Sequence, residues 1–141
     1  MTHPPRAPAA LLRETEAGLY RVDNARIDAL VDAAHAAGID VRRVELADCR
    51  DKADLLARIA TALAFPAWFG HNWDALADCL GDLGWLPEAP ARLFTFEHLD
   101  AEREPGATLL DILAERAGDL DADAPPLWLL VTDPMPDPQS T

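Results

Sequence analysis

What most constrains this chain is an alternation: short apolar runs rich in β-branched and aromatic residues recur along it, separated by stretches whose apolar residues repeat at helical spacing. Residues 39–46, 92–96 and 127–131 each read as a strand, the second of them buried and the third closing the sheet. A shorter candidate strand covers 19–22. Ile27, Leu30, Val31 and Ala34 mark a helix with its cap predicted at Asn24 and its end at Gly38. Leu55, Leu56, Ile59 and Leu63 mark a second, capped by Asp51 and stopped by Pro66. Leu109, Ile112 and Leu113 place another over 107–117. Strands separated by helices predict an α/β fold, a small parallel sheet joined by right-handed crossovers and packed with helices. At 141 residues, half of them apolar, the chain fits one domain with one core, expected over 18–132. Residues 1–17, rich in Pro and Ala, are expected to be flexible, and the 133–141 tail, with three prolines, disordered. No internal repeat is visible.

Charge narrows the function classes. A formal net charge of -13 repels phosphate backbones and anionic membrane surfaces and attracts basic proteins, so no direct nucleic-acid binding is expected. No apolar run is long enough to span a membrane, and the first residues make a poor signal peptide, so a cytoplasmic protein is expected, monomeric when free. Cys49 and Cys79 could pair, but without an export signal two reduced thiols are expected. Neither stands at metal-site spacing to another Cys or a His, and no metal or cofactor is expected.

The most informative stretch is 65–80, where an aromatic loop runs directly into a helix. At about 100° per residue, Trp73, Leu76, Ala77 and Leu80 fall in one sector with Cys79 at its edge, while Asp74 and Asp78 share the other side. Two like charges at i and i+4 cost a few tenths of a kcal/mol, so helix propensity does not explain them. Asp74 gains from the first turn, where the macrodipole favours an anion; Asp78 lies too far along for that. In the loop, Trp68 and Phe69 between Pro66 and Gly70 either cap the core or present an anchor to a partner. Asp111 and Glu115 form a second acidic pair, on a polar flank of the 107–117 helix, and Asp119, Asp121 and Asp123 follow in a solvated turn.

The run Trp68-Phe69-Gly70-His71-Asn72-Trp73-Asp74-Ala75-Leu76-Ala77-Asp78-Cys79-Leu80 resembles, without a gap, the barstar family of intracellular inhibitors of small secreted ribonucleases. From residue 41 to 131 the order of elements follows that family's plan, which implies three barstar-like strands. Residues 18–38 lie outside it and look like an added strand and helix, extending the sheet at one edge. The resemblance implies a partner-binding surface of Trp68, Phe69, Gly70, Asn72, Asp74, Ala77, Asp78 and Glu115. Asp78 matches a central carboxylate that enters the nuclease active site where a substrate phosphate would lie. Asp74 matches a flanking carboxylate that pairs with arginine, and Trp68 an aromatic residue stacked on the catalytic groove. Glu115 is similar in place to a further acidic contact. Ala77 stands where the family's namesake carries an interface tryptophan, and Trp68 and Phe69 replace two tyrosines.

The implied function is therefore stoichiometric inhibition of a small basic ribonuclease, by occlusion and not by chemistry. A barstar-like module that grips another basic protein without inhibiting a ribonuclease is the alternative. An enzyme using His71, Asp74 and Asp78 as metal ligands or as acid and base is disfavoured: no second His or nucleophile sits at ligand spacing. No catalytic residue is expected.

Overall fold

The computed structural model of the protein describes residues 16–119 and 124–135. The expected flexible start and disordered tail therefore fall largely outside the described residues, as do Asp121 and Asp123. In chain order the elements are β1 (Gly18–Arg21), α1 (Asn24–Ala36), β2 (Asp40–Glu45), α2 (Lys52–Ala62), α3 (Trp73–Asp82), β3 (Arg92–Glu97), α4 (Gly106–Gly118) and β4 (Leu127–Val131). The strands form one sheet in the order β1-β4-β3-β2, with every pair parallel, as the alternation predicts. The added strand β1 extends it at one edge, beside β4.

The two central strands explain their own sequences. All residues of RLFTFE and of LWLLV are buried, because helices cover both faces of the sheet. Alternate residues serve the two cores: Phe94, Phe96, Leu127, Leu129 and Val131 pack beneath α2, α3 and α4, while Leu93, Trp128 and Leu130 pack beneath α1. Edge strand β2 instead carries Asp40, Arg42, Arg43 and Glu45, a charge pattern that discourages pairing with another chain. From β2 through β3 to β4 the chain steps one way across the sheet with its helices on one face. From β1 to β2 it crosses the whole sheet the other way, with α1 on the opposite face. Reversing both direction and face leaves the hand of the crossovers the same.

Two predicted boundaries move. The cap of α1 is Asp23, whose carboxylate accepts from Ala25 N–H at 3.0 Å, and not Asn24. Asn24 uses its amide to donate to the Asp133 carbonyl at 2.8 Å, fastening the helix start to the chain leaving β4. Helix α2 ends at Ala62, with Ala64 already left-handed at φ 52°, so it stops before Pro66 is reached.

On the α1 face a polar cluster continues the inward row of β3. Arg43 donates to both carboxylate oxygens of Glu97, at 2.8 and 2.7 Å, and to Asp28 of α1 at 2.7 Å; Thr95 donates to Glu97 at 2.6 Å. Burial alone would push the Glu97 carboxyl up, but the hydrogen bonds from Arg43 and Thr95 outweigh it and hold the group below the usual carboxylate range.

Candidate protein interface

Helix α3 is stopped at both ends. Asn72 accepts from Ala75 N–H at 2.8 Å through its side-chain oxygen, and its amide donates to the Gly70 carbonyl at 3.3 Å. At the other end Leu83 turns left-handed and returns its N–H to the Cys79 carbonyl. Leu76, Cys79 and Leu80 are the residues fully buried by the helix. The packing face is therefore rotated toward Cys79 relative to the predicted sector, and Ala77, expected within that sector, is exposed. The rotation has a cause: Cys79 and then Leu83 and Leu86 enter the core, while Trp73 stays half-buried with the Lys52 ammonium 5.5 Å from its ring centre. Burial, together with the adjoining carboxylates of Asp78 and Asp82, pushes the Cys79 thiol up, and both cysteines are free.

The same rotation brings Ala77 beside Asp74 and Asp78 on the solvent side. Both carboxylates are exposed, and among the described residues neither pairs with a cation. Asp82 continues their i, i+4 row to the end of the helix, a spacing that could have been read from the sequence.

The starts of α2 and α3 lie close together, and so do the segments that follow their ends. Lys52 meets Trp73 at their starts, and beyond their ends the Trp85 indole donates to the Leu63 carbonyl at 3.1 Å. The connecting loop must therefore travel back along α2, and it carries the aromatics. Trp68 and Phe69, expected together at the interface, separate here: Phe69 N–H closes a turn onto the Pro66 carbonyl at 2.9 Å, and of the two side chains one is buried and the other exposed. Phe69 is 4% exposed and belongs to the core, so its ring is not a contact surface; Trp68 is 64% exposed. Phe65 lies edge-on to Phe69 at 4.7 Å and to Trp85 at 5.5 Å, and Trp85 lies edge-on to Trp68 at 6.4 Å. Gly70 is exposed, but a Cβ there would come within 3.0 Å of the Asn72 amide nitrogen, so it shapes the loop together with the cap.

Glu115 is exposed on α4, and its neighbour Arg116 donates to the Leu80 carbonyl of α3 at 2.7 Å. This bond satisfies a carbonyl in the last turns of α3, where a cation is favoured, and ties the two acidic helices together. No spacing signal in the sequence pointed to Arg116, nor to Trp85 as the neighbour of Trp68. His71 is an exposed loop residue with its ring 4.8 Å from that of Phe69. Among the described residues no group of three His, Cys, Asp or Glu side chains is placed to hold a metal, and no helix is long and apolar enough to cross a membrane.

Residues 39–132 match the family described as Barstar (barnase inhibitor), a stretch that takes in every element after β1 and α1. No curated protein matches the chain. Among solved structures, a Walker-type ATPase of Pyrococcus abyssi is 13% identical at a TM-score of 0.50, over 92% of this chain and 45% of that one. The Drosophila origin recognition complex bound to AT-rich DNA and Cdc6 contains a chain 17% identical at a TM-score of 0.49, over 89% of this chain and 43% of that one. This chain thus spans less than half the length of either. The likeness to the ATPase is one of fold: the single lysine here, Lys52, follows Asp51 and no glycine-rich phosphate loop precedes it.

Proposed function

The chain belongs to the barstar (barnase inhibitor) family, and from that premise we propose that it is a stoichiometric protein inhibitor of a small basic ribonuclease. The observation that carries this reading is the pair of exposed carboxylates, Asp74 and Asp78, unpaired among the described residues, on a short helix capped at both ends and tied to α4 by Arg116. A nuclease site that holds phosphates is lined by Arg, Lys and His donors. Carboxylates fixed at a helical spacing satisfy those donors without offering a bond to cleave.

In this reading Asp78 enters the active site and Asp74 pairs with an arginine at its rim. Trp68 stacks over the groove, Glu115 adds a more distant acidic contact, and Ala77 leaves open the space a larger side chain would fill beside Asp78. Gly70 and Asn72 act through the shape of the loop and the helix start, and Phe69 supports them from beneath. The inhibitor acts in the cytoplasm as a monomer until it meets its target, and its net charge of -13 steers the encounter with a basic partner.

Titrating the purified chain into a small basic ribonuclease tests this. Loss of RNA cleavage that is complete at one inhibitor per enzyme, and absent with the Asp74→Ala/Asp78→Ala double variant, is the expected result. Full cleavage at excess inhibitor, with tight binding to a basic protein that is not a nuclease, would replace it with the interaction-module reading.

A further inference from the structure

We propose that Trp85 is a positioning residue for Trp68, holding the most exposed large side chain of the interface in a defined pose before any partner arrives. Trp68 is 64% exposed, and its ring contact with Trp85, edge-on at 6.4 Å, is the only one it makes among the described residues. A side chain that exposed would ordinarily sample several rotamers. Trp85 is itself fixed on two sides. Its indole N–H donates to the Leu63 carbonyl at 3.1 Å, and its ring lies edge-on to Phe65 at 5.5 Å, which in turn meets the buried Phe69 at 4.7 Å. A continuous series of edge-to-face contacts therefore runs from the core, through Phe69, Phe65 and Trp85, to Trp68 at the surface.

The connectivity makes this more than local packing. Leu63 is the C-terminal cap of α2, Trp68 lies in the returning loop and Trp85 follows α3. One indole thus ties the end of one helix and the segment after the next to the loop between them. Its hydrogen bond also satisfies a carbonyl in the last turn of α2, where backbone acceptors lack helical partners. An ordered Trp68 loses less rotamer freedom on binding, which slows dissociation without changing long-range steering.

The order of Trp68 is measurable in the free protein by nitrogen relaxation of the indole N–H groups, of which the chain has 4. The unaltered chain is expected to show an ordered Trp68 indole. Trp85→Phe keeps a ring against Phe65 but removes the donor and part of the edge. It is expected to lower the heteronuclear NOE of Trp68 while leaving Trp73 and Trp128 unchanged. A Trp68 indole already mobile in the unaltered chain, or one unchanged in the variant, overturns the proposal. Should Trp85→Phe fail to fold, proton exchange in the unaltered chain decides: the Trp85 indole proton must exchange more slowly than that of Trp68, and equal rates overturn the anchor. The consequence for binding rests on the inhibitor reading. Against a ribonuclease that the unaltered chain inhibits, Trp85→Phe should raise the dissociation rate about 2- to 10-fold with the association rate unchanged. That effect should vanish in a Trp68→Ala background; additive effects overturn the coupling. Absence of any inhibition by the unaltered chain would fail the inhibitor reading alone, since the relaxation result on Trp68 needs no partner.

Discussion

On the α1 face of the sheet Glu97 is enclosed, hydrogen-bonded to Thr95 and held bidentately by Arg43, which also reaches Asp28. On the α3 face Asp74 and Asp78 stand in solvent with no cation paired to them among the described residues. The chemical group is the same and the energetic use is opposite. The attraction available to Glu97 is consumed within the fold, so removing it leaves a partly buried guanidinium short of its partner. The attraction available to Asp74 and Asp78 is unspent, and their mutual repulsion is a small cost of folding.

The comparison breaks most readily at Asp78. Asp78→Ala should weaken binding to an inhibited ribonuclease by about 3 kcal/mol or more, the cost of stripping one member from a desolvated charge pair. Its stability should stay within about 0.5 kcal/mol of the unaltered chain. Calorimetric titration and urea unfolding of the same sample check both halves, and an unchanged affinity removes Asp78 from the interface.

The mirror-image change is Glu97→Gln. We expect a stability loss of about 2 kcal/mol, less than for a fully buried pair because the Arg43 side chain is 40% exposed, with affinity unaltered. A comparable effect is expected for Trp68→Ala on the other face, about 1–2 kcal/mol in binding and little in stability.

Acid separates the two faces further. Glu97 has its pKa lowered on folding, so its contribution to stability is present above the unfolded carboxylate pKa and is lost as pH falls through the lower folded value. Urea midpoints followed from neutral to acid pH should therefore fall less in Glu97→Gln than in the unaltered chain; parallel curves would mean the cluster adds nothing. The smallest expected effect is that of salt on stability, against a steep fall in association rate with ionic strength. An association rate indifferent to salt would reduce the charge of -13 to a solubility feature.

Much of this was legible in the residues. The strands at 92–96 and 127–131, the cap Asp51, and the inward set Leu55, Leu56, Ile59 and Leu63 all appear where their periodicity or capping chemistry puts them. The gapless run from Trp68 to Leu80 likewise led to the family now matched over 39–132. Less legible were choices between neighbours of equal local merit. Asp23 and Asn24 are both good caps, and a hydrogen bond to Asp133, 109 residues away in the chain, settles which serves. Trp68 and Phe69 are both large aromatics, and only the turn at Pro66 and the core beyond it send one inward and the other out.

The sequence by itself determined the elements, their order and the common side of α3 that Asp74 and Asp78 share, because helical and extended periodicities and capping are local properties of the backbone and adjoining side chains. Tertiary structure decided how far α3 is rotated, and hence that Ala77 joins Asp74 and Asp78 in solvent. It also brought Arg116 to the end of α3, Trp85 to Trp68, and α1 across the far face of the sheet. Those outcomes depend on contacts between residues distant in the chain, which periodicity does not encode.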